Sequence, residues 1–279
     1  MESGKPSSSS PPSGEEQLRL ETARAELRDA LGSVRNLAQL LHNVRVGPRA
    51  IQAVLPAVHG PCERLEESVR VLLEVVASRL PDRTAVDELI DYVAPRAREL
   101  EHALAAAVDK PIGAKTRLQL ESVVGRLSRE LDAARALVDL LDDSVRGSAV
   151  RLELSELLRE ASKSEPAANS RPLAVRLEGQ LEGDVTVNPR VAIALLGVGA
   201  RLVSEAGSTP RIAAGGAGAQ LNIAPETGSG ETVQLAALPV IAPTLACARA
   251  AALVSGAALS WDQETHSFTL AWQSTRLRP

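Results

Sequence analysis

Between Leu18 and Val145 apolar residues return at alternating intervals of four and three, and after Gly147 that rhythm stops. Side chains spaced this way share one face of a helix, so each run must bury its stripe against another helix. The cleanest run is Leu120, Val124, Leu127, Leu131, Ala134, Val138, Leu141 and Val145. A second comprises Leu20, Ala23, Leu27, Ala30, Val34, Leu37 and Leu41, and a third Val86, Ile90, Val93, Ala97, Leu100 and Leu104. Several seams in one chain predict an antiparallel bundle, closed within the chain or across a homodimer.

Clusters at Gly47-Pro48, Gly60-Pro61, Pro81 and Pro111-Ile112-Gly113 divide the run into separate helices. His42 and His102 each lie near a helix end, followed by such a break and a further long helix, which fits two tandem helical hairpins. Pro95 falls inside the third seam, where its missing N–H is expected to bend or break the helix.

After Gly147 the pattern becomes short β-type segments separated by turn residues. Residues 151–154 lead into a helix over 155–161, and 173–178 and 185–187 alternate as half-buried strands do. Asn188-Pro189 supplies an N-cap and a first-turn proline for an apolar helix over 190–203. Strands over 211–214 and 219–223 follow, then a helix over 243–254 stopped by Gly256, and a closing hairpin of 258–261 with 267–272. The fold class is therefore α+β: residues 1–16 a disordered tail, 17–147 a helical bundle, and 148–279 a sheet under a helical layer.

Composition narrows the function. Aromatic residues are 1% of the chain, so there is little surface on which bases could stack, and a net charge of −4 offers no field for phosphate backbones or anionic lipid. Neither nucleic acid nor a membrane is expected as partner. The N-terminal stretch lacks the apolar core of a signal peptide and no run of eighteen apolar residues occurs, which points to a cytoplasmic protein. Cys62 and Cys247 stand far apart with no ligand cluster, so both read as structural and no metal site is expected.

The order of pieces from Leu118 to Gln273 resembles the dimerisation and ATPase-like region of bacterial two-component histidine kinases. The segment from Arg151 to Leu158, RLELSELL, is similar to that family's VxLxELL; the stretch from Val185 to Leu196, VTVNPRVAIALL, to its vxaDpxrlxqvL; and 256–261 with 267–270 to its closing strands. The resemblance implies a bundle followed by a histidine-kinase-type ATPase-like sandwich, here in degenerate form. Where that family places a Mg²⁺-holding Asn this chain has none between Arg190 and Val203; Arg201 falls nearby, and a guanidinium cannot coordinate a cation. The adenine-reading DxGxG is matched by Glu226, Gly228 and Gly230, with Glu in place of Asp. The phosphate-covering lid carries glycines in that family, and 231–247 has none. Neither ATP nor Mg²⁺ is therefore expected as a cofactor.

In such proteins the phosphoryl acceptor is a bundle histidine, and the resemblance nominates two. His42-Asn43, with Pro48 six residues on, is similar to the family's His-acid-Pro pattern, whose proline comes at five. His102 lies on the helix that connects directly to the one preceding the ATPase-like region. The reading is thus a signalling protein acting by dimerisation and docking, with a response regulator or kinase-pathway protein as partner. Three alternatives stand beside it: a histidine phosphotransferase, a divergent active histidine kinase, and a coiled-coil structural protein.

Overall fold

The computed structural model of this chain describes residues 14–108, 110–163, 172–178, 184–214, 220–226, 231–237 and 240–272. The fold is α+β, helices first and a mixed sheet after them. Five helices open the chain: α1 (Gly14–His42), α2 (Pro48–Cys62), α3 (Leu65–Ala77), α4 (Thr84–Val108) and α5 (Ala114–Arg146). They are followed by β1 (Val150–Glu153), α6 (Leu154–Lys163), β2 (Leu173–Glu178), β3 (Asp184–Val187), α7 (Pro189–Glu205), β4 (Pro210–Ala214), β5 (Gln220–Pro225), β6 (Glu231–Leu235), α8 (Thr244–Val254), β7 (Ala257–Asp262) and β8 (Ser267–Trp272). The chain forms two compact units, which divide within α4 and α5 rather than at Gly147, where the sequence pattern changes. None of the described helices is long and apolar enough to cross a membrane.

The first unit holds α1, α2, α3, the part of α4 from Ala94 and the part of α5 up to Gly125. All seven seam residues of α1 are buried, with Leu31 beside them. Each fully buried Leu or Val contributes about 1.5–3 kcal/mol. This stripe is covered by helices of the same chain. Polar ties join the helices pairwise. Ser68 Oγ on α3 donates to Glu26 of α1 at 2.9 Å, and Arg98 on α4 pairs with Glu66 of α3 at 3.0 Å.

Two helix breaks differ from the sequence reading. Helix α2 runs through Gly60 and Pro61 and stops at Glu63. Helix α4 continues unbroken past Pro95, which faces solvent, where the orphaned carbonyl one turn earlier can be hydrated.

The second unit holds the start of α4, the C-terminal part of α5 and everything after it. There α5 buries more than one seam, since Ala133, Leu137 and Leu140 join Leu131, Ala134, Val138 and Leu141. A six-stranded sheet runs in the order β6-β2-β4-β5-β8-β7, and β1 and β3 form a separate antiparallel pair. Only β2 and β4 are parallel, which requires a crossover, and α7 supplies it. Strand period two puts Val175, Ile212, Ile223, Phe268 and Leu270 on one fully buried face. Gly199 lets α7 approach that face, since a Cβ there would strike the Phe268 ring and the Ile223 side chain.

Asn188 ties α7 to α5. Its Oδ1 accepts from Arg190 N at 3.2 Å as an N-cap, and its Nδ2 donates to the Asp143 carbonyl at 2.8 Å. A Cβ on Gly147 would overlap Asn188, so glycine is required there. Burial pushes both thiols up to about 12: Cys62, with Glu101 adding to the effect, and Cys247, with Glu88 doing the same. Both are free.

Candidate functional site

Two places hold the residues that the resemblance nominates. One surrounds Glu226 in the second unit, the other comprises the histidines of the first. Glu226 follows β5, and its backbone N–H donates to Thr209 O at 2.9 Å. Its carboxylate forms an ion pair with Arg176 of β2. The pair spans the sheet, because β4 lies between β2 and β5, and a second cross-strand pair joins Arg211 of β4 to Glu178 of β2. Period two places Arg176, Glu178, Arg211 and Glu226 together on the polar face, opposite the helices. Gly228 and Gly230 lie outside the described residues.

Arg201 sits near the end of α7, and its Nε pairs with Glu205 Oε1 at 3.1 Å, one turn along the same helix. It therefore has a carboxylate partner already. One turn before it, Gly197 is buried against the main chain of 236–237: a Cβ there would come within 2.5 Å of Ala236 O. The chain after β6 thus presses backbone to backbone on α7.

Of the stretch 231–247 that the resemblance assigns to a lid, the first five residues form β6. It pairs antiparallel with β2 from Leu173↔Leu235 to Leu177↔Glu231 and forms one edge of the sheet. Sequence reading missed this strand. Its signal was present in Glu-Thr-Val-Gln-Leu, a β-branched pair in an alternating pattern that buries Leu235. Among the described residues no cluster of three or more His, Cys, Asp or Glu could hold a metal ion.

The four histidines have four environments. His42 is the last residue of α1, its side chain 87% exposed, with Nδ1 3.0 Å from Glu121 Oε1 of α5. In the tautomer whose Nδ1 proton is directed at Glu121, Nε2 carries the free lone pair. Arg117 fixes the surrounding chain: its guanidinium donates to Leu41 O at 2.7 Å, Asn43 O at 2.6 Å and Val46 O at 2.6 Å. Leu41 O is a carbonyl that the end of α1 leaves without a helical partner, Asn43 and Val46 lie in the turn that follows, and the cation also suits that end of the helix dipole.

His102 is exposed on α4 and has no carboxylate against it among the described residues. His59 lies inside α2, its Nδ1 3.3 Å from Glu63 and its Nε2 buried without a partner. His266 is in the β7–β8 turn with φ 50° and leans on Trp261, ring centroids 6.2 Å apart. The structure thus gives His42 an acidic partner that the sequence reading did not foresee, since Glu121 is 79 residues away.

Neither a family model nor a curated protein sequence matches the chain. Among solved structures, a histidine kinase of Acinetobacter baumannii, AdeS, is similar at 15% identity and a TM-score of 0.41, over 66% of this chain and 98% of that one. Similarity at that level assigns no family.

Proposed function

We propose that this chain is a signal-transduction protein of histidine-kinase-like build whose second unit has lost nucleotide turnover and serves for docking. The observation that carries this reading is β6. A lid must move over phosphates, and the first five residues of the stretch assigned to it are held in a ladder against β2. The other ligands of a nucleotide site point the same way, because Glu226 is engaged by Arg176 and Arg201 by Glu205. The residues present do not fit Mg²⁺-ATP, and no step of the function runs through it.

Isothermal titration calorimetry of the full chain with a non-hydrolysable ATP analogue and magnesium tests this. No heat of binding is expected. Micromolar binding, about −8 kcal/mol, would overturn the reading and restore a divergent kinase.

The His42–Glu121 pair favours a second reading, phosphotransfer to a response regulator. A carboxylate on Nδ1 orients the ring and stabilises the charge that develops when Nε2 attacks the phosphoryl group of a receiver aspartyl phosphate, the N–P bond forming as the P–O bond to the departing aspartate carboxylate breaks, while the proton stays on Nδ1. His102 lacks such a partner and is the weaker acceptor. Incubation with a radiolabelled phosphorylated receiver domain should label the protein and fail to label His42→Ala; label that persists in that variant would remove His42 from the role.

A further inference from the structure

We propose that the end of the first unit formed by the α1–α2 and α4–α5 connections is a docking surface for an acidic protein segment carrying a bulky apolar side chain. The proposal rests on the docking reading above, extends it from the second unit to the first, and names the partner chemistry there. The two connections are one surface, because Arg117 at the start of α5 binds the carbonyls of 41–46 and Gln52 on α2 donates to Ala107 O and Val108 O at 3.1 and 2.7 Å.

Charge is distributed unevenly there. The chain as a whole carries −4, yet no acidic residue occurs from His42 to Cys62 or from Lys110 to Leu120. Those stretches bring together Arg45, Arg49, Lys110, Lys115 and Arg117, with Asp109 and Glu121 as the flanking acids. Arg45, Arg49, Lys110 and Lys115 are exposed, and none has a carboxylate partner among the described residues. Some other arginines of this unit are paired with glutamates, as in Arg64–Glu26 and Arg98–Glu66. A basic end on an acidic protein attracts acidic partners and speeds their encounter.

Apolar features occur on the same surface. Val44 is 88% exposed and Leu118 67%, although large apolar side chains in this chain are mostly buried. At the same end of the unit the α4–α5 groove opens into a cavity of about 320 Å³, lined by Ala106, Ala107, Val123, Lys110, Thr116 and Gln119. That volume is at the lower end of ligand pockets and admits a large side chain. A phosphate backbone or a lipid headgroup would use the cations and leave the cavity unfilled, whereas an acidic segment with an apolar anchor uses both.

Fluorescence anisotropy of the full chain with a fluorescein-labelled peptide of repeated Glu carrying one central Leu tests the proposal. Binding should weaken with rising salt, and fall about tenfold in the Arg45→Glu/Lys115→Glu double variant. Replacing the peptide Leu by Gln, or filling the cavity with Ala106→Leu, should each cost roughly fivefold, less than full burial of a Leu. Circular dichroism confirms that the variants fold. Absence of peptide binding, or binding untouched by the double variant, would overturn the proposal. So would equal binding of an all-Glu peptide, a DNA duplex or phosphatidylglycerol vesicles, which would mark the surface as a general anion or membrane site. None of these results alters the calorimetry with the ATP analogue, so the two readings fail separately.

Discussion

In the sheet-bearing unit, the charged side chains best placed to hold a ligand are turned on one another; in the helical unit, a cluster of cations at one end is left open. Glu226 with Arg176, Arg211 with Glu178 and Arg201 with Glu205 satisfy the first group. Arg45, Arg49, Lys110 and Lys115 have no such partners among the described residues. The difference shows that one unit satisfies its charges internally while the other leaves them to solvent. A sheet face needs only that its charges be neutralised, and cross-strand pairs do this as well as a ligand would. A helix end whose carbonyls are capped by Arg117 keeps its shape with or without a partner.

The comparison can be broken first at the cores. Phe268→Ala in the sheet unit and Leu37→Ala in α1 each empty a fully buried position and should cost about 3–5 and 2–5 kcal/mol respectively. If the two units are distinct in stability, each variant shifts a different transition in denaturant; a single shared transition would mean that they unfold together.

Next in size is Asn188→Asp. The N-cap acceptor survives, but the donor to the Asp143 carbonyl is lost in a buried place, and two acceptors then face each other. A loss of about 1–3 kcal/mol in chemical denaturation is expected. Stability equal to the parent would show that the tie between α7 and α5 is dispensable.

The cysteines sample both units through pH. Their folded pKa values lie near 12, against 9.0 for the free thiol, so above pH 9 the unfolded state releases protons that the folded state retains. Stability is fully present below pH 9 and declines as pH rises toward 12, by about 1.4 kcal/mol per pH unit for each thiol. Cys62→Ser and Cys247→Ser should each remove close to one proton from the slope of stability against pH, measured between about pH 10 and 11. Equal slopes in the parent and both variants would refute the burial account.

The smallest effect belongs to Glu226→Gln. The pair with Arg176 is partly exposed, so its loss should cost under about 1 kcal/mol and leave the ATP-analogue calorimetry unchanged. A gain of nucleotide binding in that variant would mean that the ion pair had been closing a competent site.

Much of the fold is legible in the residues. The α1 seam from Leu20 to Leu41 is buried as its spacing requires, and Gly256, with φ 73°, stops α8 as a residue in the left-handed region does. Strand β2 and the closing hairpin also fall where alternation puts them. The breaks were less legible, because Pro61 and Pro95 sit in helices long enough to continue around one missing hydrogen bond. Strand β6 escaped because its partner, β2, is more than fifty residues earlier and its own five residues are too few to insist on a period.

By itself the sequence determined the helical first half, the α+β second half, the shortage of aromatic surface and the basic stretches around Arg45 and Lys115. These follow from local periodicity and composition, which act over a few residues. Only the tertiary structure decided that His42 meets Glu121, that Glu226 meets Arg176, that β6 closes the sheet edge, and that the two basic stretches form one surface. Each joins residues far apart in the chain, and which of many equivalent charges or strands become neighbours is fixed by how the cores pack.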